Sequence, residues 1–170
     1  MAQTAFVKTH SGLLIDLLNP DPKFINPEDI AMGLSRELHW ANQSRKGISV
    51  AEHSILVAEL CEDKFQALFH DAPEYLLRDL PGPLKLAIPA YKKIEEKLML
   101  AIAQALGIKM PFGDDLKMND NIVLNMEFHY LMHKPSESSY EDHSETIKCL
   151  DSGHAYAAFM DAYHKYKTNG

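Results

Sequence analysis

Apolar residues recur every three or four positions along almost the whole chain, and caps, prolines and glycines cut that pattern into short lengths. A pattern of this kind specifies an all-α bundle of separate helices. Asn26, Pro27 and Asp29 open a helix that carries Ile30, Leu34 and Leu38, with a side-chain cap and a proline in its first turn. Ser49 and Glu52 have capping-box spacing ahead of Val50, Val57 and Leu60. The next helix begins near Lys64 and must stop or kink after Asp71, because Pro73 deep inside it would lose a hydrogen bond and clash with the preceding turn. Leu80 to Pro83 reads as a rigid turn, followed by a helix from about Pro89 to a Gly107 stop. Asp114 and Asp115 start another helix that lasts to about Lys134, residues 135–139 form a loop, and Ser152 with Gly153 separates two closing helices. Only the start departs from the helical pattern: FVKTHSGLLIDLL reads as a small hairpin turning at Ser11 and Gly12.

With 170 residues the chain has enough length for one real core, so residues 1–170 are expected to form a single domain. No apolar run approaches the ~20 residues needed to span a bilayer, and MAQTAFVKTH lacks the long apolar centre of a signal peptide. The expected location is the cytoplasm. Cys61 and Cys149, both in apolar surroundings, suit reduced core thiols better than a disulfide or a thiolate zinc site. A formal net charge of -7 argues against a nonspecific grip on duplex nucleic acid, whose phosphates demand a basic face.

The informative residues are the polar ones that break the stripes. His53 falls three after Val50 and four before Val57, on the buried face of its helix. His70 and Asp71 sit at the inner end of the next helix, and Asp120 lies between Leu116 and Val123 on a third, whose same face also carries Glu127. A carboxylate buried without a partner is too costly to stay ionised. One divalent cation would satisfy all four groups. Two imidazoles and two carboxylates suit Zn, Mn, Fe, Co or Ni, with Mg also able to bind. Such an ion polarises a phosphoryl oxygen and lowers the pKa of a bound water, supplying electrophile and nucleophile together. Taken singly, each of these residues has an ordinary reading, since a lone stripe histidine is commonly a core residue bonded to backbone. The conjunction of all four, with Glu74 three residues after Asp71, is what points to a metal.

The order H, then HD, then D over successive helices resembles the HD-domain metal phosphohydrolases. DIAMGLSRELHW, SVAEHSILVA, LFHDAPEYLLRDLPGPLK, PAYKKIEEKL and LKMNDNIVLNMEFHYLM are each similar to blocks of the small bacterial and phage members, over roughly residues 10 to 134. That group contains 5'-deoxynucleotidases and phage dATP triphosphohydrolases. The resemblance implies that His53, His70, Asp71 and Asp120 are the metal ligands. It makes Glu74 the residue that activates or delivers the attacking water, and Asp79 the contact to the deoxyribose hydroxyl. Lys85 would point a cation at phosphate, though a solvated lysine is the competing reading, as a turn cap is for Asp79.

This chain departs from the relatives at one place: where they carry an arginine before the aromatic residue, it has His39 before Trp40. Trp40 is the sole tryptophan and either stacks on a base or fills the core. A histidine donates to phosphate only in the right protonation state and lacks the bidentate fork of arginine, so Arg36, Arg45 or Lys46 are candidates to replace it. His129 and His133, four apart on one helix, form a rival chelating pair. The expected activity is metal-dependent hydrolysis of a deoxynucleotide, with a dNTP favoured because NPDPKFINPEDIAMGLS is most similar to the phage branch. A dNMP is the alternative substrate, and a non-catalytic nucleotide- or metal-binding regulatory module is the alternative outside enzymes. The expected partners are the small-molecule deoxynucleotide and further copies of the chain, with no duplex nucleic acid and no membrane.

Overall fold

The computed structural model describes residues 4–168. Strands β1 (Phe6–Lys8) and β2 (Leu14–Asp16) pair antiparallel, with Val7 opposite Ile15, and form the expected hairpin with Gly12 in the left-handed region at φ 92°. Everything else regular is helical: α1 (Pro27–Arg36), α2 (Val50–Leu60), α3 (Lys64–Leu68), α4 (Glu74–Leu77), α5 (Gly82–Ala87), α6 (Pro89–Leu106), α7 (Asp114–Glu127) and α8 (Ser152–Lys167), with short 3-10 turns at Pro22–Phe24 and Trp40–Asn42 and a π-helical extension of α7 over Phe128–Met132. The protein is all-α with a small N-terminal hairpin.

The caps do what their residue types allow. Asn26 accepts from Asp29 N to start α1, Ser49 from Glu52 N to start α2, and Gly107 closes α6 in the left-handed region at φ 73°. Four boundaries differ from expectation. Helix α1 ends at Arg36, so Leu38 leaves it and bridges to Ser49 in an extended pairing. Helix α3 ends at Leu68, and His70 and Asp71 lie on the turn beyond it. The Leu80–Pro83 region contains the start of a short helix, α5, because Gly82 and Pro83 occupy its first turn. Ser152 and Gly153 do not separate two helices: residues 133–151 carry no helix, and Asp151 caps α8 through Gly153 N and His154 N.

Helix α1 packs against α8, α4 and α2, and α2 in turn packs against α3, α8 and α7. The main core lies between these helices, with Ile30, Leu34, Val57, Leu68, Phe69 and Phe159 fully enclosed. At Gly33, a Cβ would lie 2.6 Å from Tyr75 Cβ, so glycine is what lets α1 and α4 approach this closely. A smaller cluster of Ile48, Tyr130, Leu131 and Ile147 holds the loop after α7 against the start of α2. Helices α2 and α7 and the turn between α3 and α4 therefore meet along one seam, which is where the stripe-breaking residues lie.

Candidate metal centre

His53 stands one turn into α2 and is only 1% exposed. Its Nδ1 lies 2.8 Å from Glu127 Oε1, and a carboxylate can only accept, so Nδ1 carries the proton. That leaves Nε2 directed at Asp120 Oδ1 (3.1 Å) and Asp71 Oδ2 (3.8 Å). His70 is fixed in the same way, since its Nδ1 donates to the Ala67 carbonyl at 2.8 Å. Its buried Nε2 lies 3.1 Å from Asp71 Oδ2 and 3.9 Å from Asp120 Oδ1 and makes no hydrogen bond. Two nitrogen lone pairs and two carboxylates from α2, α7 and the turn after α3 thus face one point.

Distances decide what that point suits. Ligand atoms about 2.1 Å from a shared ion are about 3.0 Å apart at right angles and about 3.4 Å apart at tetrahedral angles. The separations here begin at 3.1 Å, close to the right-angle value, and reach 3.9 Å, somewhat beyond the tetrahedral one, and His53, His70 and Asp71 could hold a metal ion together. The electrostatics agree. Burial alone would lower the pKa of His53, yet Glu127, Asp120 and Asp71 raise it well above the usual imidazole range. Burial likewise opposes the charge on Asp71, but His70 and His53 hold its carboxyl well below the usual range. The cluster thus gathers carboxylates around two imidazoles in a way that favours positive charge at its centre.

Glu74 begins α4 immediately after Pro73, 3% exposed, with Oε1 accepting from Lys85 Nζ at 2.6 Å and Oε2 buried without a partner. Burial pushes this carboxyl up to about 9, with Asp71 and Asp79 adding to the effect and Lys85 offsetting part of it. Lys85 is shared between Glu74 and Glu95 (3.1 Å) and is therefore not a free cation aimed at phosphate, although it borders the cavity. Asp79 is positioned by its backbone, whose N–H donates to Glu37 Oε1 at 3.2 Å.

His39 and Trp40 correct the picture drawn from spacing. Glu127 Oε2 accepts from His39 Nδ1 at 2.9 Å and from Trp40 Nε1 at 2.8 Å, so both rings are tied to the same fully buried carboxylate that orients His53. His39 Nε2 faces Asp79 Oδ2 at 3.9 Å, which puts it beside the expected sugar contact. Trp40, Ala41 and Asn42 have φ of 62°, 49° and 59°, a left-handed run that costs non-glycine residues about 1–2 kcal/mol each. Glu127 is the residue that spacing did not single out as functional, although it lies two turns from Asp120 on the same face of α7. Burial would raise its pKa, but the charge of His53 and the bonds from His39 and His53 hold it at about 2.

The three proposed replacement cations lie elsewhere. Arg36 borders a separate cavity with Lys8, His10 and Tyr75. The Arg45 guanidinium donates to the Tyr130 carbonyl, and Lys46 Nζ donates to Tyr130 Oη at 2.9 Å, so both serve the smaller apolar cluster. His129 and His133 do stack, with ring centroids 5.7 Å apart, but each Nδ1 is engaged by the following loop, at Ser139 O and Glu137 Oε2, as loop anchors.

A cavity of about 520 Å³ opens over this cluster, walled by His39, Trp40, Glu74, Asp79, the Leu80–Pro83 turn and Lys85, with His53, Asp71 and Asp120 at its base. Among the described residues no helix is long and apolar enough to cross a membrane. No family model matches the chain. It is 34% identical to the uncharacterized protein YfdR of Escherichia coli, over 94% of each chain. It is 35% identical to an uncharacterized protein of Rhodobacter capsulatus, over 72% of this chain and 71% of that one.

Proposed function

This chain belongs to the family of YfdR of Escherichia coli, and we propose that it is an HD-type, metal-dependent phosphohydrolase acting on deoxynucleotides. The observation that carries this reading is the placement of His53, Asp71 and Asp120 at the base of a cavity whose wall holds Glu74 and Asp79, with His70 Nε2 behind them 3.1 Å from Asp71 Oδ2. The unpartnered His70 Nε2 and the ligand separations fit a divalent ion held by His53, His70 and Asp71, with Asp120 Oδ1 beside them, 3.1 Å from His53 Nε2. Bound there, the ion supplies Lewis acidity toward a phosphoryl oxygen and toward water.

The chain's own groups do the rest. Glu74 Oε2, buried and without a partner, is placed to take a proton from the attacking water or return one to the leaving oxygen. Lys85 fixes Oε1 and so orients the carboxyl. Asp79, held through its backbone by Glu37, accepts a sugar hydroxyl, and the rigid turn at Leu80–Pro83 limits the room for a second one. Trp40 closes the cavity as a wall, with its indole N–H already committed to Glu127.

The likeness of the N-terminal block to the phage branch favours a dNTP. One observation favours a dNMP instead: Lys85 is the single lysine or arginine among the residues lining the cavity, and it is already engaged by two carboxylates, so little positive charge meets a triphosphate. Incubation of the purified protein with each dNMP and dNTP plus Mn²⁺, Co²⁺, Zn²⁺ or Mg²⁺, with chromatography of the products, tests the reading. Triphosphate and nucleoside products identify the first substrate class, and orthophosphate from monophosphates the second. Absence of product with every pair, despite metal binding, returns the protein to a regulatory binding module.

A further inference from the structure

Glu127 satisfies three ring donors at once, from His53, His39 and Trp40, and it is the only acceptor that any of those three N–H groups has among the described residues. The donors differ in kind. A histidine ring nitrogen can donate or accept according to tautomer, whereas the indole Nε1–H can only donate. These three groups lie close enough to hold an ion of their own, but their contacts of 2.8 to 2.9 Å are hydrogen-bond distances and the donor-only Trp40 indole shares the same carboxylate, so the trio is read as a hydrogen-bonded hub beside the His53, His70 and Asp71 cluster.

We infer that Glu127 is a positioning residue whose carboxylate, read together with the donor-only Trp40, locks His53 in the tautomer that presents Nε2 to the metal. The inference rests on the reading of His53 as a metal ligand. Its content appears when the carboxylate becomes an amide of the same shape. In Glu127→Gln the amide oxygen must face Trp40 Nε1–H, because an amide NH₂ there would meet a second donor. The NH₂ group is then forced toward His53 Nδ1, which must accept. The His53 proton moves to Nε2, where Asp120 Oδ1, 3.1 Å away, receives it. The three rings each keep a hydrogen-bond partner, and the nitrogen aimed at the metal no longer has a lone pair.

The lock therefore has a removable key. In the double variant Trp40→Phe/Glu127→Gln the obligate donor is gone, the amide can turn over, its oxygen can accept from His53 Nδ1–H, and its NH₂ can donate to His39 Nδ1. His39 tolerates this exchange, because its other nitrogen faces Asp79. No charge has been restored, so recovery of metal binding would separate tautomer control from loss of a negative charge near the ion or from altered packing.

The test is calorimetric titration of Mn²⁺ and Co²⁺ into the wild type, Glu127→Gln, Trp40→Phe and the double variant, with circular dichroism melts to confirm that each is folded. Glu127→Gln is expected to raise the metal Kd about 10- to 100-fold, in line with other partners of metal-bound histidines. Trp40→Phe should leave Kd within a few-fold of wild type, and the double variant should recover most of the loss. A Glu127→Gln protein that binds metal like the wild type, or a double variant no better than Glu127→Gln, overturns the lock while leaving the metal site standing. A wild type that binds neither ion overturns the metal reading itself and the lock with it.

Discussion

Two buried glutamates, Glu52 on α2 and Glu127 on α7, each accept three hydrogen bonds, and they differ in what donates. Glu52 receives three backbone N–H groups, from Lys148 (2.7 Å), Cys149 (3.0 Å) and Leu150 (2.7 Å). Glu127 receives three side-chain rings. Backbone donors have no alternative protonation state, so Glu52 can only fix where the chain goes, including the left-handed turn at Cys149 (φ 55°) that leads into α8. Imidazole donors have two tautomers, so Glu127 fixes a chemical state as well as a position. Glu52 thereby loses the second half of the capping box predicted for it: Ser49 caps α2 as expected, but the glutamate reaches across to residues 148–150 and not back to its own helix.

Substitutions on the two sides should separate catalysis from folding. Glu74→Gln, which keeps the volume of the side chain in the cavity wall, is expected to leave the melt and the metal Kd close to wild type and to lower the rate of hydrolysis about 10²- to 10⁴-fold. Single-turnover assays of the metal-loaded protein measure this, and an unchanged rate would make Glu74 a structural residue like Glu52. Glu52→Ala should do the opposite. Stranding three partly buried N–H groups costs about 2 kcal/mol and lowers Tm by roughly 5 to 10 °C in a chain of this size. Metal binding per folded molecule should be retained, and parallel loss of metal affinity would show that the two regions are not independent.

The smallest effect concerns a carboxylate that belongs to neither class. Glu59, at the end of α2, accepts from Tyr166 Oη and from Lys64 and Lys165, and the Tyr166 bond is the main reason its pKa falls from 4.5 to about 2. A depressed carboxyl contributes stability that is complete above its unfolded pKa and fades as pH falls through the folded one, here between 4.5 and about 2. The group is mostly exposed, so solvent screening keeps the contribution within about 1 kcal/mol. Tyr166→Phe should therefore melt slightly below wild type at pH 6, and the gap should close as the pH approaches 2. A gap that persists at low pH would assign the effect to packing of α8 on α2.

The candidate metal cluster was partly legible in the sequence because His53 and Asp120 break apolar stripes, which helical periodicity makes visible without any knowledge of neighbours. Pro73 announced the break on which His70 and Asp71 sit, since a proline acts on its own backbone and the turn before it. The cations were not legible in the same way. Arg45 and Lys46 stand close to His39 in the chain, yet their partner is Tyr130, 85 and 84 residues away. Lys85 looked free until Glu95, one helix later, came to its other side. A charge on a long side chain takes its role from whichever carboxylate or carbonyl the packing brings within reach.

Local rules thus determined the capped helix starts at Asn26 and Ser49 and the stop at Gly107, that an N-terminal hairpin precedes the helices, and that His53 turns inward. The tertiary structure alone decided that Glu127, 74 residues from His53 in sequence, stands 2.8 Å from its Nδ1, and that His39 and Trp40 share it. The physical reason is one of range. Caps, periodicity and proline act within a turn or two of backbone, whereas the tautomer of a buried imidazole is set by whatever acceptor the far side of the bundle supplies.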